Sequence, residues 1–145
     1  VKELPVKQGK VIVKERYFNY LNIRHKNNIY LNKRLGNDVW KNLYELPLIE
    51  TSQKLTLEQL QSTSEFHNLF EKAGNVKIKG IPVEMKHVLS HRIIYAAFYE
   101  VEIENDTEIE KLFTKTTLDN MHQYPISRLV DRYFEMNNGN FPLLF

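Results

Sequence analysis

The side chains best able to do chemistry in this chain are five histidines (His25, His67, His87, His91 and His122), scattered carboxylates, and the adjacent pair Ser90-His91. There are no cysteines, which excludes a disulfide framework, a thiolate metal site and an iron–sulfur cluster within the chain. His87 and His91 stand four apart, about 13 Å on an extended strand. They cannot share a metal unless the chain turns between them, and with no acidic partner at ligand spacing no metal site is expected. Adjacent Ser and His side chains diverge, so Ser90-His91 is not a nucleophile–base pair. It reads as a polar turn, either merely hydrogen-bonded or offering donors and acceptors to a planar ligand. Glu100, Glu102 and Glu104 alternate like the solvent face of a strand. The five glycines are scattered, so no glycine-rich phosphate loop is present. These residues supply recognition surfaces more readily than a catalytic centre.

Charge placement adds to that reading. The net charge is only +2, but through residue 40 Lys2, Lys7, Lys10, Lys14, Arg16, Arg24, Lys26, Lys33 and Arg34 face only Glu3, Glu15 and Asp38. Acidic residues gather later, from Glu100 to Glu110. Such an asymmetric field can draw phosphates to the early strands, although an ordinary solvated face has the same composition. Aromatic residues among the basic ones, in Arg16-Tyr17-Phe18 and from Tyr20 to Arg24, can stack on bases and contact backbone phosphates. At strand periodicity about half of them must instead be core.

The elements that must position these groups fit one domain. At 145 residues, 42% hydrophobic and 26% charged, the chain is long enough for one real core. No apolar run reaches membrane-spanning length, Val-Lys-Glu-Leu-Pro is not a signal peptide, and a start without methionine fits a fragment or processed product. Residues 1–10 read as a linker, 11–137 as the domain and 138–145 as a tail. Val11 to His25 reads as a strand with Val11, Val13, Tyr17, Leu21 and Ile23 on one face and Ile12, Phe18 and Tyr20 on the other. Lys26-Asn27-Asn28 reads as a hairpin turn and Ile29 to Leu35 as the return strand. Asp38 to Glu50 holds the only tryptophan; Trp40, Leu43, Tyr44 and Leu46 suggest a clamped turn, and Pro47 bars a helix interior or central strand. Capping patterns at Thr56–Gln59 and Ser62–Glu65 predict a short helix and then a better one, with Phe66, Leu69, Phe70 and Ala73 as its apolar stripe up to Gly74. Val76 to Lys79 reads as a short strand ended by Gly80 and Pro82. His87 to Ile103 reads as a long extended segment interrupted at Ser90-His91. Pro125 and the stripe Ile126, Leu129, Val130, Tyr133, Phe134 predict a last helix stopped at Asn137-Asn138-Gly139. The sum is a mixed, mostly antiparallel sheet flanked by helices.

Five motifs in order give more. K-x-R-Y-F-x-Y (Lys14 to Tyr20), Y-L-x-K-R (Tyr30 to Arg34), V-W-x-N-L-Y-E-L-P-L (Val39 to Leu48), H-V-L-S-H-R (His87 to Arg92) and Y-P-I-S-R-L-V-D-R-Y (Tyr124 to Tyr133) resemble the C-terminal domain of the MutY-type adenine DNA glycosylases over nearly the whole chain. Each motif is degenerate; the ordered set is specific.

The resemblance implies a Nudix-like fold. Nudix hydrolases carry G-x5-E-x7-R-E-x-x-E-E, whereas the place after Pro47 here has Glu50, Glu58 and Glu65 without R-E-x-x-E-E. It therefore implies the fold without metal-dependent hydrolysis. It also implies recognition of 8-oxoguanine opposite adenine in double-stranded DNA, beside an N-terminal catalytic domain of the same protein. That missing domain would excise the adenine and carry the 4Fe–4S cluster, while this fragment would hold no cofactor. The family's lesion-reading turn maps onto Leu89, Ser90 and His91, with leucine where phenylalanine is common. Lys14, Arg16, Lys33, Arg34 and Arg92 are the expected backbone contacts, and Trp40, Leu43, Tyr44 and Pro47 the structural motif. A monomer in the bacterial cytoplasm is expected. A freestanding Nudix-type hydrolase of oxidised nucleotides and a protein-interaction module using the Trp40 to Leu48 surface are the alternatives.

Overall fold

The computed structural model describes residues 12–140, the side chains of 137–140 excepted. The lead-in over 1–10, Val11 and the end of the tail at 141–145 lie outside the described residues. In chain order the elements are β1 (Lys14–Arg24), β2 (Asn28–Lys33), β3 (Tyr44–Glu45), β4 (Leu48–Thr51), α1 (Leu57–Gln61), α2 (Ser64–Phe70), β5 (Val76–Leu89), β6 (Arg92–Ile103), α3 (Ile109–Leu112), β7 (Thr114–Thr117) and α4 (Arg128–Asn140).

β1 organises them, because Phe18 to Ile23 are all buried. Successive strand side chains point to opposite faces, so such a run needs cover on both sides. It lies inside a four-stranded sheet ordered β4-β1-β6-β5, parallel to β6 and antiparallel to β4. On one face Phe18 and Tyr20 join Ile94, Ala96 and Phe98 under Leu129, Val130, Tyr133 and Phe134 of α4. On the other Leu21 and Ile23 join Tyr99, Val101 and Ile103 under Leu60, Phe66, Phe70 and Ile109. A second sheet, β3-β2-β7, splits the same way, Ile29 and Leu31 to the first core and Tyr30 to the second. The predicted mixed, mostly antiparallel sheet between helices is the observed fold.

Several boundaries differ from the sequence reading. Ile12 and Val13 precede β1 and are exposed rather than forming a strand face. Gly80 and Pro82 do not end a strand: β5 continues to Leu89 through a register shift between Lys79 and Val83, where Gly80 at φ 71 and an N–H-less proline fit a bulge. β7 is Thr-Lys-Thr-Thr, a strand without apolar alternation, paired along β2. Pro125 does not open α4. It precedes a bridge between Ile126 and Tyr44, its carbonyl accepts from the Tyr44 N–H, and α4 starts at Arg128 and runs past Asn137 to Asn140. Asn and Gly weaken a helix end without stopping it, which is why such limits slip by a few residues.

Candidate nucleic-acid interface

β5 and β6 pair from Val76 opposite Ile103 to Leu89 opposite Arg92, so Ser90 and His91 are the two-residue turn of the longest hairpin in the domain. The interruption predicted at Ser90-His91 is this reversal. Both residues are exposed, while Leu89 is half-buried and packs on the first core. The turn is tied to β1 by a hydrogen bond from the Lys14 N–H to the His91 carbonyl (3.0 Å), and Lys14 lies opposite Arg92 in the parallel ladder. Ile12, Lys14, Val39, Leu89, Ser90, His91 and Arg92 line one open cleft. Apolar Ile12 (85% exposed) and Val88 (65%) flank it, so the tip presents greasy and cationic groups side by side.

The tryptophan segment stands behind this tip. Trp40 sits at φ 59, a left-handed conformation that bulky residues rarely adopt. Its carbonyl accepts from the Leu43 N–H, and the Leu43 carbonyl accepts from Arg34, which closes the turn. The indole meets Phe18 edge-on (centroids 6.5 Å) and His87 (5.4 Å), while Leu46 is fully buried and Tyr44 packs against Tyr124. Pro47 is buried on the far side, its carbonyl accepting from the Leu21 N–H.

Two of the five cations expected on DNA are engaged elsewhere. Arg16 makes paired bonds to Asp38 (2.9 and 2.9 Å) and to Glu50 (2.8 and 2.8 Å). Arg34 bonds Glu45, Asp38 and the Val39 carbonyl. Both guanidiniums lie over the Phe18 ring. The Arg16 bond holds the Asp38 carboxyl well below the usual carboxylate range. Burial pushes the Glu45 carboxyl up, against the pull of Arg34 and the hydrogen bonds from Tyr20, Arg34 and Asn32. This network fastens the Trp40 loop to β1. Lys33 is exposed on the other sheet, over Tyr44. Only Lys14 and Arg92 join Leu89, Ser90 and His91 at the tip.

His87 is turned away from His91 towards Trp40 and Arg132, whose Nη1 lies 3.3 Å from its Nδ1. Glu58 and Glu65 are exposed on α1 and α2, and Glu50 is held by Arg16. Among the described residues no group of three His, Asp or Glu side chains is placed to hold a metal ion, and no helix is long and apolar enough to cross a membrane. The sequence reading missed the Arg132–His87–Trp40 contact; the only trace of it is the i, i+4 spacing of Arg128 and Arg132.

A mixed sheet between helices with one projecting hairpin defines the class. Residues 19–136 match the NUDIX domain family, and the chain belongs to that family. Its fold is shared with the C-terminal domain of mouse MUTYH, solved in complex with human PCNA, at TM-score 0.64 and 15% identity over 89% of this chain and 91% of that one. The Nudix-like fold that the motif resemblance implies is the fold observed. A NUDIX hydrolase from Nitrosomonas europaea gives TM-score 0.61 at 9% identity, covering 88% and 90%. The E. coli ORF135 protein gives 0.51 at 13% identity, covering 82% and 84%. No curated protein matches the chain.

Proposed function

We propose that the chain is a non-catalytic domain of a MutY-type adenine DNA glycosylase that reads 8-oxoguanine opposite adenine and directs excision by an N-terminal catalytic domain. The observation that carries this is the position of Ser90: exposed, at the tip of a braced hairpin, between an apolar neighbour and the cations Lys14 and Arg92. Oxidation of guanine at C8 turns N7 from acceptor to donor, so a hydroxyl that accepts from N7–H distinguishes the lesion from guanine. Leu89 supplies apolar packing, and His91, tied through its carbonyl to Lys14, holds the turn. The scattered positions of Glu50, Glu58 and Glu65 speak against hydrolysis of free oxidised nucleotides by this chain.

The test is binding to otherwise identical duplexes with 8-oxoguanine or guanine opposite adenine, at stated salt, alone and mixed with the separately expressed catalytic domain. The expected result is a lesion preference that sharpens on mixing and falls by about five- to tenfold in Ser90→Ala, the worth of one hydrogen bond. Equal discrimination by the variant would remove Ser90 from the role. No preference in either format would turn the function towards partner binding.

A further inference from the structure

With Arg16 and Arg34 held by carboxylates, α4 supplies further cations able to meet a phosphate behind the hairpin tip. Arg128 and Arg132 stand one turn apart on its first turns, on one face of the helix. Arg132 reaches His87, and the His87 ring lies against Trp40. The His87 pKa is lowered, first by burial and then by the charges of Arg132 and Arg128. Among the described residues neither arginine has a carboxylate within ion-pair distance, Asp131 of the same turn included. Arg128, the first residue of the helix, also sits at the positive end of its dipole, where a cation is disfavoured and an anion welcomed.

Two guanidiniums without a carboxylate partner among the described residues stand beside an aromatic pair, contiguous through Trp40 and Val39 with the Ser90 cleft, and form a surface complementary to a phosphate chain. His87 precedes Ser90 by three strand residues, roughly 10 Å, the axial rise of about three base steps. We propose that Arg128 and Arg132 clamp the DNA backbone about that far from the reading turn, with Trp40 and His87 as the floor. This deepens the lesion-reading assignment and rests on it for register; the clamp itself is blind to sequence.

The experiment uses the 145-residue chain and the variants R128Q, R132Q, R132K and S90A, with K72Q as a charge-matched change on an exposed site at the opposite end of the hairpin from its tip. Fluorescence anisotropy with labelled 8-oxoguanine:adenine and guanine:adenine duplexes is followed over a salt series, and thermal unfolding of each variant is recorded. R128Q and R132Q are each expected to weaken both duplexes alike and to lower the slope of log affinity against log salt by about 1. The lesion preference should stay as it was. R132K keeps charge without the planar fork and should recover most of the slope. S90A should change the preference without changing the slope. If the arginine variants bind and respond to salt like K72Q while S90A still loses preference, the clamp is wrong and the lesion reading stands. If the slopes fall but no lesion preference exists to lose, alone or mixed with the separately expressed catalytic domain, the lesion reading is wrong and the surface is a general DNA contact. Absence of wild-type binding at the lowest salt overturns the clamp, and the lesion reading falls with it only if the mixture with the separately expressed catalytic domain also shows no preference. Should R132Q unfold early, R128Q decides between these outcomes, since Arg128 is exposed and makes no hydrogen bond to His87.

Discussion

Glu45 is the residue on which the tryptophan segment depends most. Its side chain is 1% exposed, and it accepts hydrogen bonds from Tyr20 (2.8 Å) and from Arg34 (3.0 and 3.2 Å). Removing one partner of a buried pair strands the other charge, so Glu45→Ala is expected to cost about 3–5 kcal/mol. Glu45→Gln leaves an acceptor for the Tyr20 hydroxyl and should cost less. Urea unfolding midpoints of the two variants check this; equal losses would mean that the hydroxyl bond contributes nothing. The same residues show why the site was only half legible. Arg16 and Arg34 lie in a basic, aromatic stretch and read as phosphate contacts. Asp38 and Glu50 stand 22 and 34 residues from Arg16, and Glu45 stands 11 from Arg34, so that apart from the local Arg34–Asp38 pair only folding brings these partners together. Ser90-His91 was legible because a polar pair interrupting an apolar extended run marks a local reversal.

At the scale of elements, the reading turn is only as well placed as the hairpin beneath it. β5 is an edge strand with its bulge at Gly80-Ile81-Pro82 and charged Lys77, Lys79, Glu84 and Lys86 along it, features that discourage pairing with other chains. Gly80 adopts φ 71 in open space, so Gly80→Ala incurs only the cost of the left-handed conformation, about 1–2 kcal/mol. Gly74→Ala adds a clash, its Cβ falling 2.6 Å from Glu104 Oε1, and should cost more. Gly36 has open space and no left-handed φ, so Gly36→Ala should be neutral or slightly stabilising. Melting temperatures falling in the order Gly36→Ala, Gly80→Ala, Gly74→Ala would bear this out, and a reversal of the last two would remove Glu104 as the cause. The bulge was misread as a strand end because Gly and Pro signal both. β7 was missed because Thr114–Thr117 takes its place from pairing with β2, not from an apolar pattern. β6 and α4 were legible because their apolar residues recur periodically, and β1 because its apolar and aromatic run is long enough to be buried on both faces.

For the whole molecule, the network joining β1, the Trp40 loop, β3 and β4 makes stability depend on pH in two opposed ways. Asp38 has its folded pKa lowered by Arg16, so its contribution is full above the unfolded value of about 3.9 and is lost as pH falls through the folded value. Glu45 has its folded pKa raised by burial, so its contribution is present below the unfolded value of about 4.3 and is lost as pH rises through the folded one. Asp38→Asn should therefore lose most stability relative to the parent near neutral pH, the gap closing towards about pH 2. Glu45→Gln should show its widest gap in acid and a narrower one at neutral pH. Urea midpoints across that range read both, and parallel curves for the two variants would refute the opposition. Salt separates them further. The Asp38 side chain is 31% exposed, so added salt should narrow its gap, whereas the buried Glu45 is shielded from mobile ions and its gap should persist.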